Sequence, residues 1–178
     1  MASCLEALLF ASAEPLTLEK ISEVCQVTLD QVQAALDLLQ SRYRAQESAL
    51  EIVDVAGGKQ LRTRSEFFPW ISRLQLSRPV PLSNAAMESL AIILYKQPIT
   101  RVEIDSIRGV NSASAIHTLL EKGLIQECGR LEVPGRPILY ETTDEALQRL
   151  GLASLDDLPP LETIASQSPV PQISFPVP

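Results

Sequence analysis

The stretch Leu90-Ala91-Ile92-Ile93-Leu94-Tyr95-Lys96-Gln97-Pro98-Ile99-Thr100 decides how the rest of the chain is read. An apolar helical run stops at a proline, and a threonine two residues later can cap a new helix. The same pattern stands near the start, where Leu5-Glu6-Ala7-Leu8-Leu9-Phe10 precedes Glu14-Pro15-Leu16-Thr17. One offset aligns the two prolines and the two threonines, and with them Ile21 with Ile104, Val24 with Ile107, Val27 with Val110 and Leu36 with Leu119. A module repeated along one chain is the reading that follows.

Working outward, each half reads as three helices followed by a hairpin. In the first half a helix covers about Ala2 to Ser12, Pro15 breaks it, and Thr17 caps a second helix through about Val24. Thr28 with Gln31 makes a capping-box pattern for a third, with Val32, Ala35, Leu36 and Leu39 on one face. Leu50 to Val55 and Lys59 to Thr63 read as strands joined at Gly57-Gly58, and a helix from about Glu66 to Leu76 follows. In the second half, helices cover Ser83 to Lys96, the segment from Thr100 (boxed by Glu103) to Gly109, and Ser112 to Lys122. Strands Leu124 to Val133 and Pro137 to Thr142 flank Pro134-Gly135-Arg136, and Asp144 to Leu150 is a last short helix. The fold class is therefore mainly α (α+β): tandem winged-helix domains with small two-stranded wings and a disordered C-terminal tail. The domains are expected at 1–78 and 79–158, joined near Ser77 to Leu82, where Pro79 and Pro81 stiffen a short linker. Residues 159–178 hold six of the thirteen prolines and no basic residue, which suits a flexible spacer.

Composition narrows the function. With 178 residues, 46% of them hydrophobic, the chain can fold, and two small domains plus a tail fit its length. Fifteen Lys and Arg stand against 22 Asp and Glu, a net charge of -7, so the overall field repels polyanions. Three scattered cysteines, Cys4, Cys25 and Cys128, form no C-x-x-C pair, which disfavours a disulfide framework or a thiolate zinc site. They are expected as small buried hydrophobes in a reducing compartment. No run reaches the apolar length of a membrane span and no signal-peptide pattern opens the chain, so a soluble, cytoplasmic protein with no membrane partner is expected.

Chemistry-bearing patterns are sparse. His117 lies off the apolar stripe of its helix, near Ser114 and Glu121, without a nucleophile elbow; a hydrolase built on it is the weakest reading. Gly57-Gly58 lacks the spacing of a phosphate-binding loop. Asp156 and Asp157 most simply favour a helix start. No catalytic residue, cofactor or metal site is expected. A winged helix that reads DNA needs cationic or amide side chains on its recognition helix. Thr28 to Arg42 offers Gln31, Gln33 and Gln40 but also Asp30 and Asp37, with Arg42 its one cation; Ser112 to Lys122 has only Lys122, beside Glu121. Residues 1–78 carry 8 basic against 10 acidic side chains, and residues 79–152 carry 7 against 9. Arg130 and Arg136 on the second wing allow at most weak, salt-sensitive phosphate contact.

Protein-binding surfaces fit better. Phe67, Phe68 and Trp70 place three of the chain's eight aromatics within four residues, beside Ile71 and Leu74. They either fill the first domain's core or build a dimer interface, where aromatics are favoured. The helix through Leu90 to Tyr95 is apolar on nearly every face, so Ile93, Leu94 and Tyr95 are candidates to meet another chain. Arg108 either covers the last carbonyls of a helix that Gly109 ends, or anchors a partner's acid.

These residues together resemble the segregation and condensation protein B family, ScpB. The resemblance is carried by Leu90-Ala91-Ile92-Ile93, Tyr95 to Arg101, Glu103-Ile104, Ile107-Arg108-Gly109-Val110, Leu119 to Ile125, Gly135 to Tyr140, Thr142-Thr143 and Leu155-Asp156-Asp157-Leu158-Pro159. The opening Leu5 to Phe10 and Glu14-Pro15-Leu16 agree, while Leu94 stands where a small residue is expected and the proline tail lies outside the pattern. The resemblance implies a non-catalytic subunit of the bacterial Smc–kleisin (condensin-like) complex, acting in chromosome condensation and partition during cell division. It implies a homodimer that binds the kleisin ScpA, reaches Smc through it, and associates with the nucleoid without strong DNA contact of its own. It implies that the N-terminal domain supplies most of the dimer contact, for which Phe67, Phe68, Trp70, Ile71 and Leu74 are the candidates read above. Ile93, Leu94, Tyr95, Arg101, Glu103, Arg108, Arg136 and Tyr140 become the kleisin-binding candidates, with Gly109 carried over beside them. The alternative is a winged-helix DNA-binding transcriptional regulator.

Overall fold

In the computed structural model, which describes residues 1–74 and 81–160, the chain divides into two units. The first holds residues 1–74 together with Gly151–Asp157. It begins with α1 (Ala2–Ala11), α2 (Leu18–Cys25) and α3 (Leu29–Ala45). Thr17 Oγ1 accepts from the Lys20 amide at 3.2 Å and starts α2. At α3, Thr28 and Gln31 satisfy each other's amides reciprocally, the capping box its sequence announces. Leu5, Leu9, Ile21, Val32, Leu36 and Leu39 meet in the core of the three helices.

A hairpin of β1 (Leu50–Val55) and β2 (Gly58–Thr63) follows, in register from Leu50 opposite Thr63 to Val55 opposite Gly58. Its turn falls on Ala56 and Gly57, both at positive φ, the two-residue geometry that matches strand twist. Leu16 adds a bridge to the hairpin: its amide donates to Lys59 O at 2.9 Å, and the Lys59 amide donates to Leu16 O at 2.8 Å. Gly58 permits this approach, since a Cβ there would stand 2.9 Å from Pro15 Cβ and 3.0 Å from the Pro15 carbonyl carbon. The wing is then closed from outside by the amides of Ala56 and Gly57, which donate to Leu152 O and Ala153 O at 2.9 and 3.1 Å.

The helix expected over Glu66 to Leu76 is instead three short pieces: a 3-10 turn Ser65–Phe67, α4 (Phe68–Ile71) and a 3-10 turn Ser72–Leu74. Pro69 lacks an amide hydrogen, so it serves at a helix start and not in the middle of a longer one. Residues 75–76 of that expectation, the linker proper and most of the proline tail lie outside the described residues.

The second unit repeats the order with α5 (Asn84–Lys96), α6 (Arg101–Arg108), α7 (Ala113–Glu121), β4 (Ile125–Arg130), β5 (Ile138–Thr142) and α8 (Asp144–Leu150). Its two-stranded wing, β4 with β5, gains an edge strand. A two-residue strand, β3 (Ile99–Thr100), pairs with β5, giving an antiparallel sheet in the order β3-β5-β4. Ile99 stands opposite Tyr140 as Leu16 stands opposite Lys59, so the aligned proline segments do the same work in both units. The repeat holds elsewhere too. Ile21 and Ile104 are both core residues, as are Leu36 and Leu119, and Gln26 and Gly109 both end a helix in the left-handed region. Gly151–Asp157, expected within the second domain, belongs instead with the first, through the wing-tip bonds above.

The cysteine expectation also fails: Cys4 and Cys128 are exposed and Cys25 is only partly buried. Replacing Gly58 by alanine pushes a methyl group into the Pro15 backbone. Gly58→Ala should destabilise the chain by about 1–3 kcal/mol, read as a lower urea midpoint with an unchanged slope.

Candidate partner-binding site

Thr100 begins α6 by accepting the Glu103 amide, while Glu103 Oε2 accepts from the Thr100 amide at 2.8 Å and from its hydroxyl at 2.7 Å. These bonds to the charged form, the hydroxyl's first, hold the Glu103 carboxyl below its ordinary range. At the other end of the eight-residue helix Gly109, at φ 73°, closes α6 with its amide on Asp105 O at 2.8 Å. The Asp105 carboxylate reaches past that turn and accepts from both the hydroxyl and the amide of Ser112, which lowers its pKa as well. The α6–α7 connection is thus tied at both ends by hydrogen bonds, with Ile104 buried beneath it. Among the residues it leaves in water are three large apolar ones: Val102, Ile107 and Val110 are 65%, 55% and 57% exposed, beside the exposed Arg101, Glu103, Ser106 and Asn111.

That exposure is where the structure departs from the sequence expectations. Ile93 and Leu94 are buried in the second unit's own core, and Tyr140 is buried on β5, so none of the three stands exposed on the surface of the unit. The small core absorbs α5 because α6, α7 and β5 all pack on it, and the added strand β3 widens the sheet. Tyr95 is half-buried against that core and its hydroxyl donates to Pro159 O at 2.6 Å, holding the chain after Leu158. Arg108 turns inward: its side chain is 6% exposed, Nη2 donates to Glu88 Oε2 at 3.1 Å, and Nη1 is buried with no hydrogen-bond partner among the described residues. Of the two roles open to Arg108, the geometry takes neither as written; the guanidinium links α6 to α5. Glu103 serves the helix cap. Arg101 and Arg136 remain exposed, Arg101 3.8 Å from Asp105 and Arg136 paired with Glu132.

In the first unit, Phe68, Trp70 and Leu74 are 51%, 62% and 67% exposed, whereas Phe67 and Ile71 are half-buried. The rings of Phe67 and Trp70 lie 6.2 Å apart at 48°, a tilted pair that steadies the short helix. Val24 is 53% exposed, matching Ile107 at the aligned position of the repeat. Sequence reasoning aligned those two residues but did not see that both face water; the signal was an apolar residue kept at a helix end that the core does not reach.

The helices placed to read DNA carry no net positive charge: α3 sets Asp30 and Asp37 against Arg42 and Arg44, and α7 has Glu121 and no Lys or Arg. α3 runs on to Ala45, adding Arg44 to Arg42 in its last turn, and Arg42 already lies 4.0 Å from Glu6. On α7, His117 is 73% exposed and faces Glu121 at 3.3 Å. Among the described residues no helix is long and apolar enough to cross a membrane.

Comparison with known proteins follows from this geometry. Residues 3–161 match the family model described as segregation and condensation complex subunit ScpB. A segregation and condensation protein B of Clostridium acetobutylicum is 48% identical over 166 residues, covering 93% of this chain and 82% of its own length. That of Symbiobacterium thermophilum is 50% identical over 165 residues, covering 92% and 74%. Among solved structures, ScpB from Mycobacterium tuberculosis is 32% identical over 85% of this chain and 94% of its own, with a TM-score of 0.40. A dimer of an ScpB N-terminal domain complexed with an ScpA peptide is 32% identical over 41% and 91%, with a TM-score of 0.39.

The Glu103 cap gives a pH test with a defined sign. A carboxyl depressed in the folded chain adds stability above its unfolded pKa, and that stability is lost as pH falls through the lower folded value. Glu103→Gln keeps a capping box of the kind Gln31 already makes but removes the titration. The variant should therefore lose less stability than the parent as pH drops below the ordinary glutamate range, measured as urea midpoints at stepped pH.

Proposed function

We propose, from the premise that the chain belongs to the segregation and condensation complex subunit ScpB family, that it is a non-catalytic docking subunit of a bacterial Smc–kleisin complex. In this reading it pairs with a second copy through its first unit and grips the kleisin ScpA through its second. It reaches Smc through that kleisin and serves chromosome condensation and partition at the nucleoid. One observation carries the reading: large apolar side chains stay in water on both units although each has a filled core of its own. Aromatic side chains such as Phe68 and Trp70 suit the centre of a dimer interface. Val102, Ile107 and Val110, with Arg101 as a polar neighbour, suit an apolar peptide segment that carries acids at its edge.

The proposed sites thus shift from the buried Ile93, Leu94 and Tyr140 to the exposed residues that the same stretch of chain supplies. A net charge of -7 and the acids on α3 and α7 favour polypeptide over duplex as the ligand.

Truncating a central interface side chain removes more than about 1 kcal/mol, a factor of five or more in affinity. Ile107→Ser should weaken binding of the ScpA linker at least fivefold by calorimetry and leave self-association intact. Trp70→Ala should raise the dimer dissociation constant about tenfold and leave the linker's affinity for each chain nearly unchanged. Unchanged linker affinity in Ile107→Ser, or tight duplex binding at physiological salt by the parent chain, contradicts the proposal.

A further inference from the structure

We infer that Cys4 and Cys25 are a redox pair that closes into an intramolecular disulfide, stapling the start of α1 to the last residue of α2. Their sulfur atoms lie 4.0 Å apart, on two helices of the same unit. A disulfide needs them about 2 Å closer. Neither thiol is sealed in the core: Cys4 is exposed and Cys25 partly so. Cys128 lies on β4 of the other unit, beside Glu141.

The oxidant is a low-molecular-weight disulfide. Cys4, the more exposed sulfur, attacks it as thiolate; one sulfur of the small molecule bonds to Cys4 and the other leaves as a thiol. Cys25 thiolate then attacks the Cys4 sulfur of this mixed disulfide, the Cys4–Cys25 bond forms, and the second small thiol departs. Two protein thiols give up two electrons and two protons, and the oxidant is reduced to two thiols. Burial, with the Cys4 thiol beside it, pushes the Cys25 thiol up, consistent with Cys4 as the point of entry.

The staple would act on a helix with few restraints of its own. α1 has no side-chain cap, no acid in its first turn and no base in its last. It is held by the burial of Ala2, Leu5 and Leu9 and by Tyr43, whose hydroxyl donates to Glu6 at 2.8 Å. Closing the bond ties the α1 start directly to α2, so oxidation tightens the docking of the first helix.

The test uses the full chain carrying Cys128→Ser, with the parent chain alongside, equilibrated in reduced and oxidised glutathione, alkylated and digested with trypsin. Cleavage after Lys20 separates the two cysteines, so a disulfide joins the Met1 peptide to the peptide beginning at Ile21. The linked pair should form in the folded chain at a glutathione ratio about tenfold more reducing than in the same chain held in urea, and dithiothreitol should reverse it. By linkage the tenfold preference appears as about 1.4 kcal/mol of added stability in the oxidised form. Cys25→Ser should stop at the Cys4–glutathione mixed disulfide. Equal closure in folded and urea-held chains overturns the inference. So does a parent product consisting only of glutathionylated Cys4 or of chain-to-chain disulfides.

Discussion

Both units depend on one small contact: a proline-led dipeptide laid as an edge strand against the wing. In the first unit it is Leu16 against Lys59, in the second Ile99 against Tyr140. The contact joins elements distant in sequence, and it fixes where the next helix starts, because the capping threonine is the following residue or part of the strand itself. Thr17 and Thr100 can then satisfy the first amides of α2 and α6 only in one orientation. Each second helix drops its isoleucine, Ile21 or Ile104, into the core. Gly58 is the steric condition for this contact in the first unit. In the second, Gln97 braces it by accepting from the Thr142 amide at 2.6 Å.

Much of this was readable from residues alone, and for physical reasons. Proline, threonine and glycine impose local backbone geometry, so the breaks at Pro15 and Pro98, the caps at Thr17, Thr28 and Thr100 and the stop at Gly109 could be placed closely. The hairpin Leu50 to Thr63 was legible for the same reason. Two-residue strands such as Ile99–Thr100 carry no periodicity, and their existence is decided by a partner forty residues away. The expectation for Ile93 and Leu94 failed from that omission: without the third strand, the second core looked too small to hold α5. Arg108 could not be placed because an arginine at a helix end looks the same whether it faces solvent or bonds inward to Glu88. Nor could the return of Gly151–Asp157 to the first wing, which rests on backbone bonds that no side-chain pattern encodes. The candidate site was legible in its chain segment and not in its side chains. The resemblance pointed to Arg101–Val110, and folding decided that Val102, Ile107 and Val110 are its exposed apolar members.

The balance of charge and exposed apolar surface supports the proposal that a fold often used on DNA serves here as a polypeptide clamp. Cations on α3 gather in its last turn, and Arg42 already leans towards Glu6. A duplex would have to recruit its contacts against a net negative field, and each phosphate contact is weakened further by salt. Exposed valine, isoleucine, phenylalanine and tryptophan side chains instead gain free energy when another polypeptide covers them, a term that salt does not screen. In the proposed function the chain holds a partner, and a hydrogen-bonded frame with apolar side chains on its outside suits that work.

The most direct measurement is the molar mass of the full chain by light scattering at physiological salt, first alone and then with the central segment of ScpA. The account predicts twice the 19.5 kDa chain mass alone, and then a complex of two chains with one kleisin segment. A mass that stays at one chain and does not change when the kleisin segment is added would contradict it.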